Sequence, residues 1–232
     1  MGGVFAVGVG PGSQNYITEI VRKVIVDADV VVGYKYTLDV IADLIKDKKT
    51  HVITMADQEK TYQRVKKELE GKILVVPFTG DVNFSESEVV DRLVEIFGSV
   101  EIIPGISSVQ VAASKAQVPL DKSKIITMHV TASIEEKKLD LQKAVIDGQS
   151  VILIPRPWPN DPKKNFMPSE VAFYLKKNGF DTSSIPVHVF ESLTNGKEQT
   201  FSGHVSDLEG KEFSDLSVIV ISQTKPESYI NF

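Results

Sequence analysis

Short apolar runs alternate with stretches of helical period through the first half of the chain, and that alternation leaves few folds open. Val4 to Val9, Val30 to Val32, His51 to Ile53, Ile73 to Val76 and Val100 to Ile103 have the length and character of buried strands. Between them Leu38, Ile41, Leu44 and Ile45 share one helical face, as do Tyr62, Val65 and Leu69, with Gly71 placed to stop the second helix. Ser85 and Glu88 read as a capping box opening a helix over Val89 to Phe97. The pattern predicts an α/β unit with a largely parallel sheet of five strands.

After Ala116 the stretch Gln117-Val118-Pro119-Leu120-Asp121-Lys122-Ser123 is polar, broken by proline and without period. It divides the chain into a first α/β lobe (1–116), a linker (117–123) and a second α/β lobe (124–232). In the second lobe strands are expected at Ile125 to His129, Ser150 to Ile154, Val187 to Phe190, Gln199 to Gly203 and Ser217 to Ser222, with helices near Glu135 to Ile146 and Ser169 to Lys177. The turn Thr194-Asn195-Gly196-Lys197 should return the Gln199 strand antiparallel to its neighbour. Two lobes of similar size imply a cleft between them, a preferred place for a ligand.

Composition narrows the chemistry. The 232 residues include no cysteine and four histidines, which excludes disulfides and thiolate chemistry and leaves little for a metal site. No run approaches the roughly 18 apolar residues of a membrane span, and no secretory leader opens the chain. A cytoplasmic protein without membrane attachment is the expectation. The formal net charge of −5, with no basic block interleaved with aromatics, gives no support for a nucleic-acid partner and favours a small molecule.

The run Val4-Phe5-Ala6-Val7 leads into Gly8-Val9-Gly10-Pro11-Gly12, a strand delivered into a ligand-facing glycine turn. It fails the dinucleotide fingerprint: position 13 is Ser13, Pro11 removes a backbone donor, and the second strand ends at Gly33 where a ribose-binding acid belongs. Three more loops follow apolar strands: Thr79 to Phe84, Pro104 to Ser108, and Pro155-Arg156-Pro157-Trp158-Pro159. In open α/β sheets ligands sit at the carboxyl ends of strands. Taken singly, Asp81 is either a ligand acceptor or a turn former, and Ser107 and Ser108 are either ligand contacts or helix caps.

In that order, Gly8 to Gly12 with Ile17-Thr18, Val31-Val32-Gly33-Tyr34, the Gly80-Asp81 loop, Pro104-Gly105-Ile106-Ser107-Ser108 and Ile126-Thr127-Met128-His129 resemble the tetrapyrrole (corrin and porphyrin) methylase family. The likeness runs over essentially the whole chain. Val109-Gln110-Val111-Ala112-Ala113 and the later Val189-Phe190-Glu191-Ser192-Leu193 with Glu198 are most similar to members that methylate carbon 5 of cobalt-precorrin-7 in cobalamin biosynthesis. The resemblance implies a two-lobed α/β fold, each lobe a roughly five-stranded mixed sheet with flanking helices, S-adenosylmethionine in the cleft between them, and a homodimer. It places Pro11, Gly80, Asp81, Phe84, Ile106, Ser107, Ile154, Pro155, His188 and Leu216 around the cofactor. The chain departs from the family's Gly-Asp-Pro-Gly-Phe loop, reading Gly80-Asp81-Val82-Asn83-Phe84.

Methyl transfer from sulfonium to carbon is an in-line displacement that depends on positioning rather than on a nucleophilic side chain. His129 and Glu191 are the candidate bases, with Asp81 assigned to the cofactor. A tetrapyrrole carries many carboxylates, so Gly10, Lys35, Arg156 and Trp158 are the expected substrate contacts, Arg156 gripping a carboxylate and Trp158 covering the macrocycle, with Lys163 and Lys164 nearby. The chain ends near Phe232 without room for a fused decarboxylase, so a separate decarboxylating methyltransferase is expected as a pathway partner. The alternatives are another precorrin or uroporphyrinogen methylase, diphthine synthase, or a noncatalytic module that binds cofactor or tetrapyrrole.

Overall fold

The structure is a computed structural model that describes residues 2–84, 86–158 and 160–223. Ser85 of the expected capping box and Pro159 lie outside them. Two compact units divide the chain, meeting at Ser107 and Ser108.

The first unit runs β1 (Gly3–Gly8), α1 (Glu19–Asp27), β2 (Val30–Tyr34), α2 (Lys35–Val40), β3 (Lys49–Ile53), α3 (Gln58–Lys66), β4 (Ile73–Phe78), α4 (Ser87–Phe97) and β5 (Glu101–Ile103). Its sheet has the order β3-β2-β4-β1-β5, and every pairing is parallel. Strands covered on both faces read as continuous apolar runs, as β1, β2 and β4 do, whereas edge strand β3 exposes Lys49, Thr50 and Val52. One face packs on Tyr62, Val65, Val89 and Leu93, the other on Val21, Ile25, Leu38 and Ile41. Thr18 caps α1, its Oγ1 accepting the Val21 N–H at 3.4 Å. The helix expected through Ile45 stops at Val40, and Ala42–Leu44 continue as a 3-10 turn. Ile41 is nonetheless fully buried and Leu44 and Ile45 pack on the same core, so the shared face survives the change of helix.

Strand β4 carries a proline inside the sheet, which is costly unless the ladder has ended there. The β2–β4 register stops at Val31↔Val75, before Pro77. Gly33 then makes room for the proline ring, since a Cβ there would lie 3.1 Å from it.

The second unit contains α5 (Ser108–Ala116), β6 (Ser123–Thr127), α6 (Glu135–Ile146), β7 (Ser150–Ile154), α7 (Pro168–Lys177), β8 (Pro186–Glu191), β9 (Gln199–His204) and β10 (Ser217–Ile221). The division therefore falls before α5, which the sequence had assigned to the first lobe. The physical reason is burial: Val109, Val111, Ala112 and Ala113 are buried and α5 packs on β7 and β10, while 117–123 forms only a short turn at Leu120–Lys122. The sheet order is β6-β7-β10-β8-β9. β6 and β7 are parallel, and β10 runs antiparallel to both β7 and β8. The carboxyl ends of β6, β7 and β8 consequently share an edge with the start of β10. β9 returns antiparallel to β8, through a loop whose left-handed residues are Ser192 and Thr194 rather than the expected Asn195-Gly196 pair. Leu141, Leu153, Leu175, Val189 and Ile219 fill the core under this sheet's other face.

Candidate functional site

In the first unit three of the singled-out loops meet through their backbones. Gly10 and Gly80 exchange hydrogen bonds, Gly80 N–H to Gly10 O at 2.7 Å and Gly10 N–H to Gly80 O at 3.2 Å. A Cβ on Gly105 would lie 2.4 Å from the carbonyl oxygens of both Gly8 and Gly80, and one on Gly8 would lie 2.5 Å from Gly80 O. These glycines let neighbouring chain ends touch each other. At Gly8 and Gly105 the space a side chain would take is filled by backbone.

Asp81 sits at this junction, 7% exposed. Its Oδ2 accepts the Gly105 N–H and its Oδ1 accepts the Asn83 N–H, both at 2.8 Å. Each oxygen keeps a further lone pair, so the carboxylate is held rigidly while remaining an acceptor. The departure at Val82-Asn83 leaves the loop closed: Phe84 N–H reaches Asp81 O at 3.1 Å and Val82 is buried among the core residues. Pro11 and Gly80 are buried beside it, Ser107 is almost wholly buried, and Ile106 and Phe84 are half-buried. Lys35 lies at the end of β2, exposed and paired with Asp39 at 2.9 Å.

The second unit gathers another set at the edge where β6, β7 and β8 end. His129 follows β6, and its N–H donates to Thr127 Oγ1 at 3.3 Å. The ring is reachable by solvent, but surrounding protein pushes its pKa below the usual histidine value; Asp215 works against this and Arg156 with it. His129 is therefore neutral near pH 7. Ile154, Pro155 and Trp158 follow β7, and Leu216 leads exposed into β10.

Arg156 corrects the expectation of a carboxylate grip at the surface. It is 4% exposed, and its two terminal nitrogens donate to Ala132 O at 3.2 Å and Thr131 O at 3.3 Å. Its backbone pairs with Phe166 and its guanidinium stacks 4.3 Å from the Trp158 ring centroid. Arg156 thus fastens the loop after β6 to the loop after β7. Glu191 is likewise engaged, its Oε1 accepting the Ser214 N–H at 2.6 Å. His188 stands apart from this edge, inside β8, with Nδ1 2.9 Å from Ser202 Oγ and its ring stacked on Phe190; burial lowers its pKa.

Sequence reasoning missed Glu86. Burial alone pushes its carboxyl up to about 7, beside Tyr34 and the fully buried Tyr62 whose hydroxyl has no partner. No sequence signal marks it, because its desolvation comes from packing between α3 and the start of α4. No cluster of three potential metal ligands occurs among the described residues, and none of their helices is long and apolar enough to cross a membrane. An open cavity of about 460 Å³ lies among Gly3, Phe5, Lys66, Phe97 and Glu101, at the amino ends of β1 and β5, away from the Asp81 loops.

The first-unit geometry suits a cationic ligand better than a pyrophosphate. A carboxylate is fixed within a glycine junction, and Pro11 offers no N–H.

Comparison with known proteins agrees. The family model for Tetrapyrrole (Corrin/Porphyrin) Methylases matches residues 3–209. A probable cobalt-precorrin-7 C(5)-methyltransferase from Methanocaldococcus jannaschii is 29% identical over 94% of this chain and 96% of its own. Among solved structures, the methyltransferase CobJ superposes with a TM-score of 0.77 at 17% identity, over 97% of this chain and 98% of its own. The cobalt precorrin-4 methyltransferase CbiF gives 0.73 at 22% identity, over 94% and 93%. The mixed second sheet, the glycine junction of the first and a family match running through both units agree in one assignment: this chain belongs to the tetrapyrrole (corrin/porphyrin) methylases.

Proposed function

We propose that this protein transfers a methyl group from S-adenosylmethionine to carbon 5 of cobalt-precorrin-7 in cobalamin biosynthesis. The observation that carries the cofactor half of this reading is Asp81, buried at the glycine junction with both oxygens oriented by backbone N–H groups. The near full-length similarity to a probable cobalt-precorrin-7 C(5)-methyltransferase supports the substrate half. S-adenosylmethionine supplies a methyl group on a sulfonium that a carbon nucleophile displaces. Asp81 with Pro11, Gly80, Phe84, Ile106 and Ser107 would hold it in the first unit; for Ile154, Pro155 and Leu216 the family likeness is the support. His188 is the weakest member of the set, being committed to Ser202 within its strand.

The chain's own contribution is positioning and proton handling. Replacing hydrogen on a ring carbon by methyl releases a proton, and neutral, solvent-reachable His129 is the proposed acceptor, with Glu191 the second candidate. Half-buried Trp158 is the proposed macrocycle contact, and Lys164, 4.7 Å from the Trp158 centroid, brings positive charge for its carboxylates. Lys163 adds to it. Arg156 supports Trp158 from below rather than gripping substrate, and Gly10 is occupied by its pairing with Gly80. A cytoplasmic homodimer working beside a separate decarboxylating methyltransferase completes the reading. The noncatalytic alternative drew on Val82-Asn83, and it loses that support because the loop closes as an ordinary turn.

Incubation with methyl-labelled S-adenosylmethionine and a panel of cobalt-precorrin intermediates tests the proposal. Label at carbon 5 of cobalt-precorrin-7 is expected. Labelling of a different intermediate overturns the substrate, and no labelling of any overturns the activity.

A further inference from the structure

The connection from β8 to β9 carries backbone strain at an unexpected place. Ser192 and Thr194 have φ of 50° and 67°, the left-handed region, where a β-branched residue is a genuine outlier. The loop contains a glycine, Gly196, yet Gly196 is not in that region. Strain of this kind persists only where the surroundings over-determine it, and it concentrates at functional sites.

One side chain supplies the over-determination. Glu198 Oε2 accepts the Thr194 N–H at 2.6 Å, and its Oε1 accepts Lys115 Nζ at 2.6 Å. Lys115 lies in the last turn of α5, which packs on β7 and β10. The loop is closed further by Asn195 N–H to Ser192 O at 3.2 Å and Glu198 N–H to Asn195 O at 3.1 Å, and Leu193 is buried beneath it. Partial burial works against ionisation of Glu198, but its bonds to Lys115 and Thr194 hold its pKa below the ordinary carboxylate value.

The strained turn has a mechanical consequence. In this conformation the Ser192 N–H donates to Leu216 O at 2.8 Å, and the preceding Glu191 accepts the Ser214 N–H. The turn is thereby stitched to residues 214–216, the segment that enters β10 at the edge where β6 and β7 end.

We propose that Glu198 is a positioning residue: by clamping Thr194 and Ser192 in the left-handed conformation against α5, it fixes the 214–216 segment and with it Leu216 as a wall of the S-adenosylmethionine site. The clamp is a matter of this unit's own geometry; its effect on the cofactor rests on the function proposed above.

A double-mutant cycle separates the two. Glu198→Ala should weaken S-adenosylmethionine binding about tenfold, as loss of a strained, preorganised turn implies, and leave kcat at saturating cofactor within about twofold, a pure binding loss. Glu198→Gln, which keeps an acceptor for Thr194 but loses the ion pair, should fall between. In a Thr194→Gly background, where the left-handed conformation carries no penalty, Glu198→Ala should cost less than about threefold. An undiminished cost in that background overturns the proposal. Amide exchange at Ser192, read without any ligand, should speed up in Glu198→Ala and recover in the double variant; unchanged exchange also overturns it. Faster exchange in Glu198→Ala that recovers in the double variant, in a protein that binds no S-adenosylmethionine, would instead reject the cofactor assignment and leave the clamp standing.

Discussion

Asp81 shows how a single carboxylate can serve structure and ligand together. Both of its oxygens receive a backbone N–H, one from Asn83 within its own turn and one from Gly105 across the sheet. The second bond ties the loop after β4 to the loop after β5, while Gly8 and Gly105 permit the carbonyl contacts that bring those chain ends together. Asp81→Asn keeps the shape but turns one acceptor into a donor, leaving Gly105 or Asn83 facing an N–H. An unmet buried donor costs about 1–3 kcal/mol, so urea unfolding should show a loss of about 2 kcal/mol. On the proposed function, affinity for S-adenosylmethionine should fall in the same variant by more than the stability loss explains, because the remaining carboxylate charge facing the ligand is also removed.

At the scale of elements, what could be read from the chain and what could not divide along a physical line. Strands buried on both faces must be apolar throughout, so β1, β2 and β4 are visible as Val-rich runs; β9 returns antiparallel as expected, but by a turn other than the one Asn195-Gly196 suggests. Local signals fail where a tertiary contact decides. The face Leu38-Ile41-Leu44-Ile45 keeps its period although the helix tightens after Val40. Helix α5 joins the second sheet because its apolar side is buried there, and nothing in residues 117–123 announces that. Glycines mark the first-unit junction correctly, but whether a ligand or a neighbouring backbone fills the space depends on sheet order. Arg156 is the clearest case: its fork suggests a ligand, and it is spent on the carbonyls of Thr131 and Ala132. A lysine is a point donor and does not span both. Arg156→Lys should therefore lower unfolding free energy by about 2 kcal/mol, the order of a broken buried charged hydrogen bond. Equilibrium denaturation distinguishes this from a substrate-gripping arginine, whose replacement would alter substrate affinity with stability preserved.

For the molecule as a whole, pH sets stability through a few groups that burial and hydrogen bonding move in opposite directions. Asp57 is held low by the Thr54 backbone and hydroxyl, Asp181 by Ser183 and Ser184, and Glu68 by Lys49. Carboxylates lowered in the folded state stabilise it above their unfolded values, and that contribution is lost as pH falls through the folded ones, a limb confined to acid. Glu86 acts in the other direction. Its folded pKa of about 7 lies above the ordinary 4.5, so between those values the folded protein keeps a proton that the unfolded chain has released. Stability from this group is full below about pH 4.5 and declines as pH rises through about 7. A shift of that size corresponds to about 3 kcal/mol at most, or roughly 5–10 °C in a chain of this length. His129 and His188, held below the usual histidine value, act against the Glu86 limb by favouring the fold as pH rises through about 6.5. Glu86→Gln, neutral at every pH, removes only the Glu86 limb: its melting temperature should match that of the wild type below about pH 4.5, exceed it increasingly as pH rises towards about 7, and keep that margin up to pH 8.5. Parallel melting curves for the two proteins across that range would mean that Glu86 ionises freely in the folded state.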